Sequence, residues 1–162
     1  MGRKQTLIDL RKEVARILQQ FYQELSPQEK AQEGQLKDWS VKNILYHIAL
    51  WDQRQADNLQ AALEGRPQMD HSQYLAINDQ DFPEYQRHSW EDVEQMLDSS
   101  QQALLQVLFV IPDEQLESAE FLEGSQGRPA WSRISWTILS HPVLHVCEYL
   151  VQQGSEIGRA HV

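Results

Sequence analysis

The chain has 162 residues, with 14 Lys and Arg against 24 Asp and Glu, and 41% of the residues are hydrophobic. This length suits one domain with a sizeable core, and the net charge of −10 argues against nucleic acid and anionic membranes as partners. The single cysteine, Cys147, excludes an intramolecular disulfide and suits a reducing compartment, so we expect a cytoplasmic protein.

The first predicted helix spans about Thr6 to Leu25. The basic residues before it precede no apolar segment, so we expect no signal peptide. Thr6 and Asp9 have the spacing of a capping box, and apolar residues recur behind them every three or four positions. These are Leu7, Leu10, Val14, Ile17, Phe21 and Leu25. Ser26 precedes a proline and is expected to end the helix, because such residues avoid the helical conformation.

The second helix is predicted from about Val41 to Glu64. Ser40 is a favourable N-cap in front of it, and a glycine follows its end. The next stretch, 66–88, is less regular. It predicts at most a short helix over Asp70–Gln80, and we expect Pro83 to interrupt whatever follows.

Two further helices are predicted in the second half of the chain. Ser89 and Asp92 form a capping pair for a helix from Trp90 to about Val110. The last helix runs from about Ala130 to Gln153 and is apolar on nearly all sides, which is typical of a buried helix. Pro142 lies inside it and is expected to kink it or to remove a backbone hydrogen bond.

These segments predict an all-α protein, an antiparallel four-helix bundle, because no strand pattern interrupts them. We expect one domain over residues 1–153 and a flexible C-terminal tail over 154–162. Four apolar residues lie outside the best-defined core stripes, so we also expect a homodimer that covers them. These residues are Val110, Ile111, Val143 and Leu150.

Three of the six histidines are candidate metal ligands. His141 and His145 are four residues apart, which places them one turn apart on a single helix face. At 100° per residue, Ile134 and Ile138 share this face, so we expect it to point into the bundle. His47 lies at the edge of the apolar stripe of the second helix. Together the three give an open three-nitrogen metal site; in the alternative interpretation they are hydrogen-bonded core residues.

Two carboxylates and the cysteine are weaker candidates for chemistry. Asp52, five residues after His47, is a candidate catalytic residue that carries a proton, or it orients a ligand from outside the metal shell; in the alternative interpretation it is a solvated helix residue. Glu148 is a candidate fourth ligand or catalytic base near His145, or else a surface residue. Cys147 points about 160° away from His145 on a helix, so we expect a buried structural thiol.

Two stretches resemble the DinB-like superfamily of helical proteins. Residues 38–52 read D-W-S-V-K-N-I-L-Y-H-I-A-L-W-D, and Ser140–His145 reads S-H-P-V-L-H. The capped third helix and the turn at Leu63-Glu64-Gly65 are most similar to the branch often called ClbS/DfsB. The resemblance covers about residues 5–153. Pro142 departs from the family pattern, because it stands between the two last-helix histidines, where it is expected to displace His145.

The resemblance implies a four-helix bundle with up-down-down-up topology. It also implies a divalent metal, zinc or nickel most often, held by the positions of His47, His141 and His145. Family members include transferases and isomerases that use a low-molecular-weight thiol as cosubstrate, as well as toxin-resistance proteins, and homodimers are common among them.

Three functions remain open at this level. The first is a metal-dependent enzyme, such as a thiol transferase or hydrolase, that acts on a small molecule. The second is a metal-independent small-molecule-binding or self-protection protein. The third is a helical interaction module whose histidines only fill the core.

Overall fold

The computed structural model describes residues 2–35, 38–70 and 72–159, the last five of these as backbone only. Over this part of the chain the protein is all-helical and has no named strand, only an isolated bridge between Gln35 and Asp38. None of the helices found there has the length and apolar character needed to cross a membrane. The helices are α1 (Arg3–Glu24), α2 (Pro27–Ala31), α3 (Val41–Leu63), α4 (Tyr74–Arg87), α5 (Trp90–Val110), α6 (Asp113–Glu117), α7 (Ala130–Ser135) and α8 (His141–Arg159), with a π-helical segment (Trp136–Ser140) between α7 and α8.

Capping boxes fix the starts of α3 and α5 where the sequence predicts them. The Ser40 hydroxyl accepts from the Asn43 backbone N–H at 3.3 Å, and Asn43 Oδ1 accepts from the Ser40 N–H at 3.1 Å. Ser89 and Asp92 make the same reciprocal pair at the start of α5. Because each cap satisfies otherwise unpaired N–H groups, it contributes about 1 kcal/mol and defines which residues face inward.

The predicted start of the first helix and the predicted extent of the helix in 66–88 are wrong. Helix α1 begins at Arg3 rather than Thr6, whose hydroxyl donates to the Gly2 carbonyl at 3.3 Å inside the first turn. Helix α4 continues through Pro83 to Arg87 instead of stopping there. A proline inside a helix removes one hydrogen bond and introduces a clash, but Phe82 and Tyr85 on either side of it are buried, and their packing offsets that cost.

The core consists of two apolar clusters at opposite ends of the long helices. One cluster joins the N-terminal half of α1 to the C-terminal halves of α3 and α5 and to α7 with the π-helical segment. The other joins the C-terminal half of α1 to the N-terminal halves of α3 and α5, to α4 and to α8. Buried members of the first include Leu7, Leu59, Leu104, Leu108 and Ile134, and those of the second include Leu18, Leu45, Tyr85, Val93 and Val146.

The last helical stretch is buried on one side only, which corrects the expectation of burial all round. Its outer face exposes five large apolar side chains, which are Trp136, Val143, Leu144, Leu150 and Val151. Ile111, expected among the uncovered residues, is fully buried. Helix α8 continues beyond the predicted end at Gln153 to Arg159. The expected flexibility of 154–162 stays a prediction, and residues 160–162 lie outside the described part of the chain.

Candidate metal centre

Helices α3 and α8 bring His47, His141 and His145 together. His47 lies two turns after the Ser40 cap, His141 is the first residue of α8, and His145 follows one turn later. The Nε2 atom of His141 lies 3.1 Å from the Nε2 atom of His47 and 3.1 Å from that of His145. All three ligand atoms lie within 4.8 Å of one another, so these histidines are close enough to bind a metal ion.

The spacing of the nitrogens fits a single cation. Ligands about 2.0–2.1 Å from a tetrahedral or octahedral ion stand roughly 2.9–3.4 Å apart, and both measured separations of 3.1 Å fall in this range. His47 is buried, whereas His141 and His145 are half-buried. The cluster is therefore closed on the α3 side and accessible from the α8 side, as a site with an open coordination position requires.

Burial keeps these imidazoles neutral. Removal from solvent, with smaller contributions from the neighbouring histidines, lowers the pKa of His47 to about 2. The same causes lower the pKa of His141 to about 4. Burial also lowers the pKa of His145, and the Glu148 carboxylate opposes that effect. Neutral imidazole is the form that binds metals, so the three side chains are in ligand form at pH 7.

The second ring nitrogens differ in their partners. The Nδ1 atom of His47 lies 3.2 Å from the Tyr85 hydroxyl, and that of His145 lies 3.2 Å from a Glu148 carboxylate oxygen. The Nδ1 atom of His141 is buried and has no hydrogen-bond partner within the described ranges. Metal-binding histidines usually bond a carboxylate, carbonyl or water through this nitrogen, and that bond fixes the ring.

Sequence reasoning missed Tyr85, because Pro83 predicts an interruption before it. The helical spacing of Asn78, Asp81 and Tyr85 across that proline was the available signal. Two tryptophans complete the aromatic surroundings of the cluster. The ring of Trp39 lies 4.9 Å from that of His47, and the ring of Trp51 lies 6.2 Å from it. These rings exclude water from the α3 side of the histidines.

Asp52 contacts Arg11. The two form an ion pair that is almost completely buried. The alternative prediction, that Asp52 is a solvated helix residue, is therefore wrong. Burial raises the pKa of Asp52 to about 6, although the Arg11 guanidinium acts in the opposite direction. Arg11 Nη1 also donates to the Ile138 carbonyl at 3.3 Å. Asp52 thus connects α3 to α1 and, through Arg11, to the π-helical segment in front of His141.

The remaining two candidates lie at the surface. Glu148 is exposed and reaches the half-buried His145 from outside. Cys147 is exposed rather than buried, which corrects the prediction of a structural core thiol. The outer face of α8 is uncovered in this chain, and that is why the thiol is accessible.

Comparisons with protein-family models, with curated proteins and with solved structures found no match for this chain. The functional interpretation therefore depends on the histidine cluster and on the chemistry that its donor set permits.

Proposed function

We propose that the protein is a metal-dependent enzyme of the DinB-like type that acts on a small molecule. In this proposal His47, His141 and His145 hold one divalent cation, zinc or nickel. The observation that carries it is the convergence of three histidine nitrogens within 4.8 Å of one another, with the Nε2 atom of His141 at 3.1 Å from each of the other two. Imidazole nitrogens suit zinc and nickel, whereas magnesium and calcium take oxygen ligands.

The reaction class that we propose is thiol-dependent transfer or hydrolysis. When bound, such a cation supplies Lewis acidity, which lowers the pKa of water or of a low-molecular-weight thiol. We assign proton transfer to Glu148, an exposed carboxylate that contacts His145. Asp52 is ion-paired with Arg11, and its role in this proposal is to position helices rather than to contact a substrate.

The distribution of the core supports an up-down-down-up bundle. The start of α1 packs with the ends of α3 and α5 and with α7, and the end of α1 packs with the starts of α3 and α5 and with α8. On this pattern α3 and α5 run parallel to each other and antiparallel to α1 and to the last helix. The long connection between α3 and α5, which includes α4, suits a crossover between parallel helices.

We also propose a cytoplasmic homodimer. The uncovered apolar face of α8 and the neighbouring exposed residues of α1, Leu10 and Ile17, support self-association. The single cysteine is compatible with a reducing compartment, and the acidic charge disfavours nucleic acid and membranes as partners.

Metal analysis of protein made without a histidine tag tests the proposed centre. After zinc or nickel is added and the excess is removed, we expect one ion per wild-type chain and almost none in His145→Ala. His88→Ala is the matched control and should keep its metal, because His88 lies outside the cluster. Circular dichroism should show normal helix content in both variants. A wild-type stoichiometry near zero would favour the metal-independent binding or self-protection function instead.

A further inference from the structure

Tyr85 lies at the centre of a hydrogen-bonded chain that leads from the protein surface to His47. Its hydroxyl is 3.2 Å from His47 Nδ1 and 3.5 Å from Asp81 Oδ2. Arg54 binds the same carboxylate through both terminal nitrogens, at 2.5 and 3.0 Å. Tyr85 is fully buried, and Arg54 and Asp81 are each about four-fifths buried. The chain begins on α3, crosses to α4 and returns to α3 at His47.

The chemistry of the two ends fixes the direction of each bond. Arg54 has only donors, and the ion-paired Asp81 carboxylate has only acceptors. The 3.5 Å contact between the Tyr85 hydroxyl and Asp81 is therefore a donation by the hydroxyl, and this donation leaves the tyrosine oxygen as the acceptor toward His47. A tyrosine hydroxyl keeps its proton at neutral pH, because the ordinary pKa of tyrosine is about 10. The remaining bond is then a donation from His47 Nδ1–H to the tyrosine oxygen.

We propose that Tyr85 is a positioning residue of the metal centre. Together with Asp81 and Arg54 it holds His47 in the tautomer that is protonated on Nδ1, so that Nε2 presents its lone pair to the histidine cluster. The effect on metal affinity rests on the function proposed above, whereas the tautomer is a property of the metal-free protein. The two can therefore fail separately.

The rest of the cluster agrees with this assignment. Glu148 is also an acceptor, and it takes the Nδ1–H of His145 in the same way. The imidazoles of His47 and His145 thus both present unprotonated Nε2 atoms to the Nε2 atom of His141, each at 3.1 Å. His141 can donate only one proton to them. One of the two Nε2 lone pairs, that of His47 or that of His145, is therefore left without a donor, and a bound cation would accept it.

Nitrogen-15 NMR of the histidine rings in metal-free protein tests the tautomer directly. In the wild type we expect His47 to carry its proton on Nδ1. Asp81→Asn should reverse this, because Arg54 selects the amide oxygen of the new side chain and turns its NH₂ group toward Tyr85. The tyrosine oxygen then accepts, its O–H donates to His47 Nδ1, and the imidazole proton moves to Nε2. A wild-type proton on Nε2, or an unchanged tautomer in Asp81→Asn, overturns the proposal.

Zinc titration against a competing chelator measures the consequence for affinity. Loss of a partner of this kind weakens metal binding about 10- to 100-fold, and we expect this for Tyr85→Phe. Tyr46→Phe is the matched control, since it removes a hydroxyl from the same buried cluster. The ring of Tyr46 packs against Tyr85 and His88, and Tyr46 is not a member of the hydrogen-bonded chain to His47. Equal zinc affinities for the two variants contradict a positioning role. If the wild type binds no zinc but Asp81→Asn reverses the tautomer, the proposed metal function is wrong. The hydrogen-bonded chain from Arg54 to His47 then still sets the tautomer of His47.

Discussion

Arg11 donates to the backbone carbonyl of Ile138, which lies four residues before Pro142. In a regular α-helix the N–H of residue 142 would bond to the Ile138 carbonyl, but proline has no N–H. Arg11 Nη1 donates to that carbonyl at 3.3 Å, and its other terminal nitrogen binds Asp52. The π-helical segment ends immediately before His141, at the same place. Arg11 thus connects α3, which carries His47, to the segment that precedes His141 and His145.

Arg11→Met should destabilise the protein strongly. The variant leaves the Asp52 carboxylate buried without its cation, and such a loss typically costs about 3–5 kcal/mol. Urea denaturation of metal-free protein measures the change in the free energy of unfolding. The double variant Arg11→Met/Asp52→Leu is the control, and it should recover much of the loss because no buried charge remains. A cost below about 1 kcal/mol for the single variant would show that the pair is not a structural connection.

Local signals predicted much of this fold, because they depend on neighbours in the chain. The caps at Ser40 and Ser89 set the starts of α3 and α5, and the four-residue spacing of His141 and His145 set their common face. These features require no knowledge of what packs against the helix. The same holds for the expectation that the protein is all-helical, which the structure confirms.

Contacts between residues that are distant in the sequence could not be predicted from local patterns. The predicted stripe on α1 includes Leu10, which is 48% exposed, while the neighbouring Arg11 is only 1% exposed. Hydrophobicity alone places leucine inside and arginine outside. The actual rotation of α1 depends on Asp52, 41 residues away, and on a carbonyl freed by Pro142. Tyr85 was missed for the same reason, since tertiary packing carries α4 through Pro83.

Metal binding should stabilise the folded state. A ligand that binds only the folded protein adds about 2.7 kcal/mol to the free energy of unfolding at 100 times its dissociation constant. Urea denaturation with and without zinc at that ratio measures the effect. His141→Ala loses the central nitrogen of the cluster and should show almost no zinc-dependent stabilisation. The same gain in wild type and variant would place the bound zinc elsewhere.

Cys147→Ser should leave the protein almost unchanged. The thiol is exposed on α8 and is not a member of the histidine cluster. Surface substitutions of this kind change stability by about 0.5 kcal/mol or less. Elemental analysis should therefore find the wild-type metal content, and any turnover identified for the wild type should persist within a few-fold. A folded variant without turnover would make Cys147 the nucleophile and refute the proposal that water or a low-molecular-weight thiol is the nucleophile.

The exposed face of α8 predicts the behaviour of one surface variant. Leu150 is 54% exposed there, so Leu150→Glu places a charge in the proposed dimer interface. Light scattering should give about twice 18.9 kDa for the wild type and a mass close to 18.9 kDa for the variant. Leu75→Glu is the control, because Leu75 is also exposed but lies on α4. A wild-type mass of 18.9 kDa at micromolar concentration excludes the dimer.

The pH dependence of stability should reveal the buried His47. Its pKa is about 2 in the folded protein against 6.5 in an unfolded chain, so below pH 6.5 only the unfolded state takes up a proton. The free energy of unfolding therefore falls as the pH is lowered, by about 1.4 kcal/mol from this residue between pH 7.5 and 5.5. The lowered pKa of His141 acts in the same direction.

Asp52 has the opposite effect on the free energy of unfolding as the pH is lowered. Its pKa of about 6 lies above the ordinary value of 3.8, so the folded state binds the proton first and gains stability as the pH falls. The stability gained from Asp52 begins only near pH 6. The stability lost through His47 begins near pH 6.5 and is larger between pH 7.5 and 5.5.

Urea denaturation of chelator-treated wild type and His47→Gln, at pH 7.5 and 5.5, isolates the contribution of the histidine. The wild type should lose more stability than His47→Gln, because glutamine does not titrate. Equal losses in the two proteins would mean that His47 is protonated in the folded state, and it would then be a poor metal ligand at that pH.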